Sequence, residues 1–109
     1  MEAMYGLEFV SNTSDGGYGV VVMETGRVFG GDSSFVYIGS YKVENDIVKA
    51  EVKCTNDRGF LQSIFGDMKE FNIKLEGRPQ RNEFVLQGHV VENPQMKIGV
   101  KFTRRAELP

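Results

Sequence analysis

Apolar and polar residues alternate one by one in run after run of this chain, and the breaks between runs carry Gly, Asn, Asp or Pro. Successive side chains of an extended strand point to opposite faces, so a period of two gives each run one face for a core and one for water. The clearest case is Ile47 to Thr55, where Val48, Ala50, Val52 and Cys54 alternate with Lys49, Glu51 and Lys53. Read this way, the sequence predicts about eight strands joined by turns. They cover Met4 to Ser11, Tyr18 to Glu24, Arg27 to Gly30, Ser34 to Lys42, Ile47 to Thr55, a sixth around Phe71 to Glu76, Glu83 to Val91, and an eighth from Met96 to Thr103 after a turn at Asn93-Pro94.

One stretch breaks the period. Between Asp57 and Gly66, Leu61, Ile64 and Phe65 stand at helical spacing, which predicts one short helix laid over apolar surface. Every other connection is too short for a parallel crossover, so the strands must run up and down, and closing the sheet on itself would leave no exposed edges. The expected fold is therefore all-β, an antiparallel up-and-down barrel formed by a single domain over residues 1–109. The expected inward residues include Leu7, Phe9, Phe71, Ile73, Leu75, Phe84, Leu86, Ile98, Val100 and Phe102, large enough to fill most of the barrel.

Charge narrows the function. With 13 Lys and Arg against 15 Asp and Glu, the formal net charge is −2, and bases and acids are interleaved, which argues against a surface for nucleic acid. One cysteine makes no internal disulfide, and Cys54 falls in register with the core positions Val48, Ala50 and Val52. The N-terminal residues lack the pattern of a secretory signal, and no run approaches the ~20 apolar residues of a membrane span, so the expected location is the cytoplasm. One His and one Cys cannot supply a zinc site, and no Gly-x-Ser-x-Gly elbow is present. Gly16-Gly17-Tyr18-Gly19 leads into the β-branched run Val20-Val21-Val22, where a dinucleotide fingerprint requires a helix, so these glycines and Gly30-Gly31 serve turns, bulges or close strand approach. The reading is of a non-enzyme, with no catalytic residue, cofactor or metal.

Two strands depart from the alternation. Val20 to Met23 and Phe35 to Ile38 are apolar on both faces, and only one face of each can belong to the core. The other must be covered by the 57–66 segment or by a second chain, and a closed homodimer is the simplest partner. Alternation leaves two candidate sets for the dimer interface: Val20, Val22, Val36 and Ile38, or Val21, Met23, Phe35 and Tyr37.

Several of these motifs resemble the GrlR family, negative regulators of type III secretion gene expression. The resemblance lies in Tyr5-Gly6-Leu7-Glu8-Phe9-Val10-Ser11-Asn12, the Gly-rich entry to the second strand, Gly30-Gly31-Asp32, and Val36-Tyr37 followed by Gly39. It runs in register over about the first half of the chain and more loosely beyond. It implies a lipocalin-like β-barrel that dimerises and binds a transcription activator, keeping it from DNA. In that family the loop after the strand matching Ser34 to Lys42 carries four consecutive acids. The matching positions here are Val43, Glu44, Asn45 and Asp46, of which two are acidic. The resemblance thus points to Glu44, Asn45 and Asp46 as a partner-binding loop, whereas the residues read alone make a solvated hairpin turn. The expected function is a regulatory binding protein that sequesters a protein partner such as a transcription activator. The alternative, drawn from the barrel architecture, is a carrier or sensor of a small apolar ligand in the lumen.

Overall fold

A computed structural model describes residues 2–11, 15–56 and 70–109. Among these residues it has eight strands: β1 Ala3–Ser11, β2 Asp15–Glu24, β3 Arg27–Gly31, β4 Phe35–Glu44, β5 Ile47–Asn56, β6 Glu70–Gly77, β7 Glu83–Val90 and β8 Asn93–Ala106. Each pairs antiparallel with the next, and β8 pairs back with β1 to close the barrel. The up-and-down closure predicted from the short connections is what forms. The helix expected between Asp57 and Gly66 lies outside the described residues. Among the described residues no helix is long and apolar enough to cross a membrane.

The lumen is lined by the alternate residues of every strand. Tyr5, Phe71, Met23, Leu86, Val48, Val90 and Val100 are among its largest fully buried side chains. Three aromatic groups pack within it. Tyr5, Phe84 and Phe102 pack with centroids 4.9 to 5.8 Å apart, while Phe9 meets Tyr37 at 5.6 Å and Phe35 meets Phe71 at 5.3 Å. Burying side chains of this size contributes about 1.5 to 3 kcal/mol each. At Gly88 the barrel wall itself closes the space, since an added Cβ would lie 1.6 Å from the carbonyl oxygen of Lys74.

The turns explain the register. Glu24 pairs with Arg27 and Glu44 with Ile47, so each hairpin has a two-residue loop. Both residues of each loop adopt positive φ: Thr25 (50°) with Gly26 (77°), and Asn45 (53°) with Asp46 (65°). That pair of left-handed residues matches the twist of the flanking strands. The last hairpin differs from the sequence expectation. The turn falls at Val91-Glu92, and Asn93-Pro94 already belongs to β8. Proline is accommodated there because the β7–β8 register shifts between His89 and Val90, leaving Pro94 in a bulge where its missing N–H is not required.

Candidate functional site

The outer wall of the barrel is divided. Around β5 to β8 the outward face carries ion pairs, with Lys53 bound to Glu70 at 2.9 Å, Lys101 to Glu83 at 3.3 Å and Lys74 to Glu51 at 3.5 Å. Across the middle of β1 to β4 it carries an apolar row instead. Met4, Val22, Phe29 and Ile38 follow one another in register across these four strands, and Val20 and Val36 flank them one step along. Ile38 is 57% exposed and Val20 44%. The row ends at Lys53, the neighbour of Ile38 on β5.

The structure settles which face of β2 and β4 is which. Val21, Met23, Phe35 and Tyr37 point inward and are buried, so that candidate set belongs to the core and cannot meet a partner. Val20, Val22, Val36 and Ile38 form the outward set. Sequence reasoning missed Met4 and Phe29. The signal was present in Val28-Phe29, adjacent apolar residues on a strand too short to show alternation. Arg27 lies over the Phe29 ring at 5.5 Å and binds Glu24 at 2.6 Å, so the patch has a charged border at its β3 end.

The backbone behind the patch is fixed by Asp32, just after β3. One carboxylate oxygen, Oδ1, accepts from the backbone N–H groups of Ser34 and Phe35 at 2.7 Å each, and Oδ2 accepts from the hydroxyl of Tyr37. This turn aims Phe35 and Tyr37 inward and thereby turns Val36 and Ile38 out. Burial and the Asp32 carboxylate hold the Tyr37 phenol well above its ordinary range. The neighbouring Cys54 thiol is pushed up to about 12, chiefly by burial, so it is an inert core side chain.

Glu44, Asn45 and Asp46 are exposed at the tip of the β4–β5 hairpin. Lys42 binds Glu44 at 3.1 Å and draws its carboxyl below the usual range. Six residues of extended β4 separate this tip from Ile38, or about 20 Å. His89 is half-buried on the outer wall, with Lys97 and Lys74 as its cross-strand neighbours. Among the described residues, no three His, Cys, Asp or Glu side chains stand close enough together to hold a metal ion.

Two concavities, of about 640 and 620 Å³, also lie on the outer wall. The first is lined by residues of β4 to β7, including Lys49, Glu51, Lys74 and His89. The second is lined by β1, β7 and β8, including Val10, Val85 and Gly99. Comparison with protein-family models and with curated proteins finds no match to this chain.

Proposed function

We propose that this barrel is a non-catalytic regulatory binding protein of the cytoplasm, GrlR-like in its lipocalin-like barrel and its task, a negative regulator that sequesters a protein partner such as a transcription activator. The observation that carries the reading is the apolar row Met4, Val22, Phe29 and Ile38, with Val20 and Val36 beside it, contiguous across four neighbouring strands. Contiguous exposed apolar surface of this kind marks sites of protein association. In this reading the row is the contact of a homodimer, and the hairpin tip with Glu44, Asn45 and Asp46 faces the partner. The large side chains packed in the lumen weigh against the carrier reading.

The test combines mass and capture. Light scattering of the purified protein should give twice the 12.2 kDa chain mass. Ile38→Asp should give a folded monomer, because a charge left unpaired in a desolvated interface costs several kcal/mol. Affinity capture from the native host should recover a transcription activator, and Glu44→Ala with Asp46→Ala should weaken that capture. A monomer at micromolar concentration rejects the dimer. Unchanged capture by the doubly substituted hairpin rejects the role of the tip.

A further inference from the structure

Among the described residues, none requires a glycine at position 99. Other strand glycines are held by contact: an added Cβ would lie 2.0 Å from the carbonyl oxygen of Val20 at Gly30, and 2.0 Å from that of Glu51 at Gly39. Gly17 and Gly26 adopt positive φ. At Gly99 an added Cβ would meet nothing within 4 Å, and φ is not left-handed. Glycine inside a strand is less stabilising than alanine, and where none of the described residues demands it, it often marks the close approach of something else.

The surroundings of Gly99 give that approach a chemistry. It floors the 620 Å³ concavity, whose walls include Val10 on β1 and Val85 on β7. Both valines are about half exposed, at 51% and 49%. Lys97 and Lys101 line the same concavity, two residues to either side of Gly99 on the outward face of β8, with Glu8 the acidic residue of the lining. Two residues of extended chain span about 7 Å. Lys101 also contacts Glu83 at 3.3 Å, but both side chains are exposed, and a pair of this kind holds its geometry weakly.

We propose that this concavity is a docking groove for an extended segment of a partner protein that seats one aromatic or large aliphatic side chain over Gly99, between Val10 and Val85. An acidic residue two positions to either side of that anchor would reach Lys97 and Lys101, because the spacing of an extended ligand equals that of the two lysines. No two acidic residues of this chain stand four positions apart, so it carries no such segment, and the occupant is a different protein. The proposal rests on the binding-protein reading above but not on the dimer. The groove lies on β7, β8 and β1, the apolar row on β1 to β4.

Fluorescence anisotropy with a labelled Ser-Glu-Ser-Phe-Ser-Glu-Ser peptide tests it. The unmodified protein should bind this peptide, and exchange of its Phe for Ala should weaken binding by at least about tenfold. Gly99→Leu should abolish binding while the thermal melt stays close to that of the unmodified protein, because the new side chain enters open space. Lys97→Glu with Lys101→Glu should transfer the preference to a peptide with Lys in place of both Glu. Amide shift mapping should place the response at Val10, Val85 and Gly99. Absence of binding at millimolar peptide, or equal binding by Gly99→Leu, overturns the groove. Capture of an activator that survives Gly99→Leu would do the same while leaving the binding-protein reading standing.

Discussion

Glu92 completes the hydrogen-bond ladder of β6 beyond the point where β7 ends, by taking both donors of Asn72. Its Oε1 accepts from the Asn72 backbone N–H at 2.8 Å and its Oε2 from the Asn72 Nδ2 at 2.7 Å, while the Val91 N–H donates to the Asn72 carbonyl at 2.7 Å. The β7–β8 turn is thus fastened across β6, although backbone pairing of β6 with β7 stops at Ile73 and Val90.

This contact makes stability depend on pH. The two hydrogen bonds from Asn72 favour the ionised carboxylate and lower the Glu92 pKa from its ordinary 4.5. A depressed folded value means that the contribution is complete above the unfolded pKa and is lost as pH falls through the folded one. Glu92→Gln should therefore cost about 1 kcal/mol near neutral pH, a modest figure because the site is exposed. The difference from the unmodified protein should shrink below about pH 4.5. Urea unfolding at a series of pH values measures it, and a difference that is constant down to acid pH contradicts the assignment.

Asp32 should be worth more than any other surface-turn residue, because it serves two amides and a buried hydroxyl. Asp32→Ala strands the Tyr37 hydroxyl inside the barrel and is expected to cost about 2 to 4 kcal/mol. Tyr37→Phe removes the hydroxyl together with its need for a partner and should cost less, about 1 kcal/mol. The double variant should fall short of the sum of the two. Equal losses for the two single variants would mean that the carboxylate acts only through the Tyr37 hydroxyl and that the two turn amides contribute nothing.

The barrel was legible because alternation survives wherever a strand has one wet face. Val48 to Cys54 on β5 and Phe71 to Leu75 on β6 are buried at the predicted positions. The outward apolar row was half legible. Unbroken hydrophobic runs on β2 and β4 revealed that an apolar face existed, but a period of two cannot say which residues are inside when both phases are apolar. Asp32 decides it on β4, through contacts with Ser34, Phe35 and Tyr37 that no spacing rule anticipates. The last turn was misplaced because Asn-Pro is a strong turn signal, whereas here a bulge accepts Pro94 and the carboxylate of Glu92 holds the turn before it. Gly99 gave no sequence signal at all, since strand glycines look alike until each added Cβ is placed against its neighbours.

Two hairpins carry conformations that their residues resist. Thr25 is β-branched and sits at φ 50°, supported by Glu2, whose carboxylate accepts from the Thr25 N–H at 2.7 Å and from its hydroxyl at 3.2 Å. Asp46 sits at φ 65°. Asn-Gly is the preferred pair for such loops, so Thr25→Asn and Asp46→Gly should each raise stability by about 0.5 to 1 kcal/mol. Thermal melts would check both. In Asp46→Gly a rise in melting temperature together with weaker partner capture would separate the conformational role of the hairpin from its charge.

The glycines of neighbouring strands should respond in opposite directions to the same change. Gly39 lies where β4 meets β5, and an added Cβ would stand 2.0 Å from the Glu51 carbonyl oxygen and 2.7 Å from the Val52 Cα, both backbone atoms that move only if the strand moves. Gly88 is tighter still, at 1.6 Å from the Lys74 carbonyl oxygen. Gly39→Ala and Gly88→Ala are each expected to destabilise by about 2 to 4 kcal/mol, the range of strained, overpacked substitutions. Gly99→Ala meets open space and should instead stabilise by about 0.5 to 1 kcal/mol, through the entropy that alanine does not lose on folding. Chemical denaturation of the three variants gives the comparison directly. A loss of stability in Gly99→Ala would mean that the fold itself needs this glycine, and the case for an external occupant would lose its starting point.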